Sequence, residues 1–262
     1  DGDNDGTAQI DIGAFESPFI CVESPSLVVT TTADVVANDC ETSLREAINF
    51  ANSNNMDDVI ELPAGTYDLS IAGTGEDANA SGDLDLTEAG HSVTLQGAGA
   101  GATVIDAHQI DRVLHVASGV TLRLSGVTIT GGRADPLGGG ILSAGTLIVE
   151  SSSISGNRAA AWGGGIYNLL GVVSVTGSTV ASNSASFDAG GIYNDRGTLT
   201  IAASTVSGNV AEQFRGGGIR NHAGTVEITG STISGNSSGE NGGGILNGEG
   251  GTVTVTNSTI EE

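Results

Sequence analysis

Oxygen ligands come first in this sequence. Asp1, Asp3 and Asp5 are followed by Gly6, the first half of a D-x-D-x-D-G calcium loop. Alternate acids place hard donors on one side of a tight turn, and glycine permits the turn. The glutamate such a loop carries at its twelfth position is absent. Ile12 stands there, with Asp11 beside it. Asp1, Asp3, Asp5 and Asp11 are the expected ligands and Ca²⁺ the expected ion; a solvated acidic terminus is the alternative. Glu76, Asp77, Asp83 and Asp85 form a second, weaker acidic group. Cys21 and Cys40 flank a polar stretch. A disulfide between them suits an oxidising compartment, and two free thiols are the other state.

Catalysis on polysaccharides would need more than acids. A lyase needs acids holding Ca²⁺ beside a basic side chain; a hydrolase needs two carboxylates at a set separation. No aspartate pair recurs with a basic partner, and His91, His108, His115 and His222 are scattered without metal-ligand spacing. Arg196 and Arg220 fall in neighbouring repeats, where an exposed salt-bridging role is expected. Trp162, Tyr167 and Tyr193 sit beside Gly-Ile corners, where packing is expected and a sugar-stacking platform is the alternative. The chain is therefore expected not to be an enzyme. Its net charge of −23, with eight arginines and no lysine, excludes a nucleic-acid footprint. No apolar run is long enough to span a bilayer, so direct membrane insertion is not expected.

What could position such residues is a repeat. Gly-Gly-Ile recurs with its isoleucine at Ile141, Ile166, Ile192, Ile219 and Ile245. Each is followed by an alternating strand such as "GTLIV" or "GVVSV", then by a third segment such as "SSSISGN" or "GSTVASN". Apolar positions fall in columns: Leu147, Val173, Leu199, Val226, Val253; then Val149, Val175, Ile201, Ile228, Val255; then Ile154, Val180, Val206, Ile233, Ile260. Period-two alternation with one apolar side means strands with one buried face. Short strands repeating every ~26 residues wind one coil of a parallel β-helix, each pairing with its counterpart one coil later. The expected fold is all-β: a right-handed parallel β-helix of three strands per coil and about eight coils, about 40 Å long at a strand spacing of ~4.8 Å. Asparagines also form columns, Asn168, Asn194, Asn221, Asn247 and Asn157, Asn183, Asn209, Asn236. Stacked amides can bond those above and below, so both columns are expected to be structural ladders.

One helix is expected, over about 43–53 in "ETSLREAINFANSN", opened by a Ser43–Glu46 capping box. Leu44, Ala47, Ile48 and Ala51 give it one apolar face, suited to covering the first coil. "VVTTTADV" before it and "DVIELPAGTYDLS" after it read as the first strands. "CETSLREAINFAN" followed by "IELPAGTYDL" resembles the CSLREA-type domain of bacterial exported proteins. The later "GGGI" repeats are similar to those of polymorphic outer-membrane proteins and other pectin-lyase-like β-helices. Here Glu41 and Thr42 separate Cys40 from "SLREA". The resemblance implies an extracellular or cell-surface protein.

Residues 1–17 are expected to be an extension carrying a donor strand, and 18–262 a single β-helix domain. In the resembling family, "DIGAFE"-like segments close such a domain at its C-terminal side; here "IDIGAFES" lies near residue 10. This predicts head-to-tail self-assembly, with Ile10, Ile12 and Phe15 of one subunit meeting Val253, Val255 and Ile260 of the next. A fragment of a glycan- or cell-binding adhesin and a carbohydrate-active enzyme are the alternatives.

Overall fold

A computed structural model describes residues 26–261. The chain forms a parallel β-solenoid of about seven turns with one helix. A turn is seen in Ile141–Ala159. Ile141–Ser143 belongs to sheet one, Thr146–Glu150 to sheet two, Ser153–Ser155 to sheet three and Arg158–Ala159 to sheet four. Every strand pairs in parallel with its counterpart one turn away. Sheets two and three each hold eight strands, so eight rungs bound the seven turns.

The expected apolar columns are in register. Leu147 pairs with Leu122 and Val173, Val149 with Leu124 and Val175, and Ile154 with Ile129 and Val180. These residues are wholly buried and line one continuous core. Each such side chain is worth about 1.5–3 kcal/mol on burial. The corner before sheet one needs glycine for space. A Cβ on Gly164 would lie 2.2 Å from the Ser184 carbonyl oxygen of the next turn.

Two expectations are corrected. The coil has four strands, because the stretch after each Ser/Gly-Asn corner adds a two-residue strand that joins five turns into sheet four. Two residues are too short to show alternation. Before the helix, "VVTTTADV" forms no strand among the described residues, only an isolated bridge from Val28 to Glu61.

The helix spans Leu44–Ala51. Ser43 caps it: its Oγ accepts the Glu46 N–H, and the Glu46 carboxylate accepts the Ser43 N–H at 2.8 Å. Its apolar side packs against the first rung, burying Ala47 and Ile48 completely. Among the described residues no helix is long and apolar enough to cross a membrane.

Candidate functional sites

Both asparagine ladders form, and each is built by the register that stacks the strands. Asn168 Nδ2 donates to Asn194 Oδ1 at 2.7 Å, Asn194 to Asn221 at 2.8 Å, and Asn221 to Asn247 at 2.7 Å. The other runs from Asn157 through Asn183 and Asn209 to Asn236; Asn183, Asn209 and Asn236 also accept the backbone N–H of the asparagine one turn earlier, and Asn157 accepts that of Gly132. All but Asn247 are buried, and their bonds satisfy polar groups of the corners. A third ladder, missed in the sequence, is made of serine. Ser152, Ser178, Ser204 and Ser231 each donate their backbone N–H to the hydroxyl of the next serine, ending at Ser258. The signal was present as a serine column, but serine between strands reads as turn filler.

The rung at Thr252–Thr256 and Thr259–Ile260 is where the expected assembly residues lie. Val226, Ile228 and Ile233 are 0%, 1% and 0% exposed; one turn later Val255 and Ile260 are 40% and 48% exposed, and Val253 is partly buried. Ile10, Ile12 and Phe15 lie outside the described residues, as do the expected ligands Asp1, Asp3, Asp5 and Asp11. Cys40 is disulfide-bonded; Cys21 also lies outside the described residues.

The outward side of sheet one gathers aromatic and charged groups. Tyr167 and Tyr193 are in register on adjacent rungs and stack at 5.0 Å, with Trp162 at 6.1 Å from Tyr193. Both tyrosines are buried, as packing predicts. Asp195 Oδ2 accepts the Tyr167 hydroxyl at 3.1 Å, and its Oδ1 meets His222 Nδ1 at 2.9 Å and Arg196 Nε at 3.0 Å. Burial pushes the Asp195 carboxyl up, but its bonds from Arg196, His222 and Tyr167 outweigh this and hold it below the usual range. Arg220 departs from the expected exposed salt-bridging role. It is 4% exposed and in no ion pair among the described residues; its Nη1 donates to the Asn221 carbonyl, and a Cβ on Gly248 would lie 2.5 Å from Nη1.

Near the helix, Asp83 and Asp85 of the expected second acidic group are buried beside an Arg45–Asp34 network. Arg45, fully buried, makes two bonds to Asp34, at 2.7 and 3.1 Å, and donates to the Gly82 and Asp83 carbonyls. Asp34 also accepts the Ser70 and Ile71 N–H groups. Burial raises the Asp34 carboxyl, and these bonds bring it below its ordinary value. Burial pushes Asp83 up to about 7; Arg112 opposes this, while Asp85 and Asp111 add to it. Glu76 instead folds its own loop, accepting the Ala78, Ala80 and Ser81 N–H groups. Two of the scattered histidines each meet two aspartates in space: His108 with Asp68 and Asp106, and His115 with Asp77 and Asp85. Asp68, Asp77 and Asp85 lie in other rungs or a loop, so sequence spacing could not show them; Asp106 is two residues from His108.

Comparison with family models, curated proteins and solved structures returns no match to this chain.

Proposed function

We propose that the chain is a structural β-solenoid of the cell exterior that extends end to end. The observation that supports this is the stacking itself: in sheets two and three each strand pairs in parallel and in register with its counterpart one turn away, so a rung presents a face that another can extend. Such a face is a template for one more parallel rung. The alternating segment Thr7–Ser17 of a second copy supplies that rung, with Ile10, Ile12 and Phe15 continuing the apolar columns. Contact through unlike ends does not close on itself, so it gives filaments. The disulfide at Cys40 and the resemblance to CSLREA-type domains support an extracellular place.

Negative-stain microscopy and light scattering on the purified chain test the assembly. Rods of growing length are expected, lost on deleting residues 1–17 and in Ile260→Asp. Monodisperse monomers from the intact chain would overturn it. This reading assigns no reaction, so release of unsaturated ends from an acidic polysaccharide would also count against it. A second reading, a glycan-contacting adhesin, is favoured by Trp162, 37% exposed beside the tyrosine stack. Glycan-array binding that disappears in Trp162→Ala would support it.

A further inference from the structure

Leu84 and Leu86 point into the core, which sends Asp83 and Asp85 to the outside of the strand, beneath the 72–82 loop. In the next rung His115 stands beside Asp85 in register. His115 Nδ1 lies 3.0 Å from Asp85 Oδ1 and 3.2 Å from Asp77 Oδ1, which comes from the loop. Two atoms bound to one tetrahedral zinc at 2.0–2.1 Å stand about 3.4 Å apart, so the two His115 contacts need shift only a few tenths of an ångström, and all three donors lie within 4.8 Å of one another. Asp85 is fully buried, and its other oxygen accepts the Asn79 N–H at 3.0 Å, which fixes its orientation. Asp77 is 74% exposed and leaves the group open to solvent.

A separate observation concerns the charge next to this group. Asp83 and Asp111 are 1% and 4% exposed, yet Asp83 Oδ1 and Asp111 Oδ2 accept no hydrogen bond. Asp83 occupies the same strand face as Asp85. Arg112 Nε approaches Asp83 Oδ2 to 2.5 Å without hydrogen-bond alignment. Asp77, Asp83, Asp85 and Asp111 thus surround one guanidinium and one imidazole. Arg112 is the one counter-charge at Asp83, and buried carboxylate oxygens left without donors are costly.

We propose that Asp77, Asp85 and His115 form a binding site for one divalent first-row metal ion, with zinc as the reference ion and water in the fourth position. The nitrogen donor selects such an ion over Ca²⁺, which takes oxygen ligands. The ion ties the 72–82 loop to the neighbouring rung. The second triad, Asp68, Asp106 and His108, is open, with His108 and Asp68 more than half exposed, and has no buried orphan oxygen beside it. It serves as an internal control.

Calorimetric titration of the chelator-dialysed full chain with zinc chloride tests the site. One equivalent is expected to bind, at least tenfold more weakly in Asp77→Ala and not at all in His115→Ala, with no change in His108→Ala. Asp77 is exposed, so Asp77→Ala keeps the wild-type circular dichroism. Calcium chloride should bind at least a hundredfold more weakly. Absence of saturable zinc binding, an affinity unaltered in both Asp77→Ala and His115→Ala, or loss in His108→Ala instead would overturn the proposal.

Discussion

Asn168 shows how a ladder must begin as well as continue. Its Oδ1 is buried without a partner, and so is the hydroxyl of Ser143, the residue in register one turn earlier. Serine is too short to reach. Ser143→Asn would bring an amide donor to that oxygen and should raise stability by about 0.5–1.5 kcal/mol, read as a higher urea midpoint at unchanged slope. Asp34 gives a pH signature. Its folded value is below its unfolded one, so its contribution is present above pH ~4 and is lost as pH falls through the folded value. The melting temperature should drop below pH 4. Asp34→Asn strands Arg45, fully buried, and should cost about 3–5 kcal/mol at pH 7 while flattening that acid dependence. The asparagine columns were legible because one residue type recurs at one position of each repeat. The Asp85–His115 and Asp34–Arg45 pairs were not, because each occurs once and joins residues 30 and 11 positions apart with no repeat to mark them.

At the scale of elements, the helix and the strands of sheets two and three were legible because period and capping agreed there. Ser43 with Glu46, then an apolar stripe, specifies a helix start without reference to anything distant. Sheet four was not legible: Arg158–Ala159 and its counterparts are strands only because the neighbouring turns hold them in register. The segment before the helix failed in the opposite sense, since β-branched residues there meet only one bridge. Ser43 also donates its hydroxyl to the Val35 carbonyl at 2.6 Å, tying that segment to the cap. Ser43→Ala should cost about 1–2 kcal/mol in thermal unfolding and loosen 30–37 as well as the helix, seen as faster amide exchange in both.

Over the whole molecule, contacts run almost entirely between adjacent turns, so stability is close to a sum over rungs and their interfaces. Among the described residues, interior rungs have two neighbours and the rung at Thr252–Thr256 has one. Hydrogen exchange should therefore be slowest through Thr146–Ala202 and fastest toward Thr252–Ile260, with the helix slowing the other end. Uniform exchange along the rod would contradict this. The amide ladders add a constraint of another kind. Each ladder bond joins asparagines at the same place in adjacent turns, so lengthening or shortening that keeps the ladders whole comes in whole turns. Turn lengths that vary by a residue are absorbed in the loops, while the amides keep count. A tandem copy of one turn spliced in at a Gly-Gly-Ile corner would find both ladders waiting for it; a copy cut half a turn short would leave two broken ends inside the core.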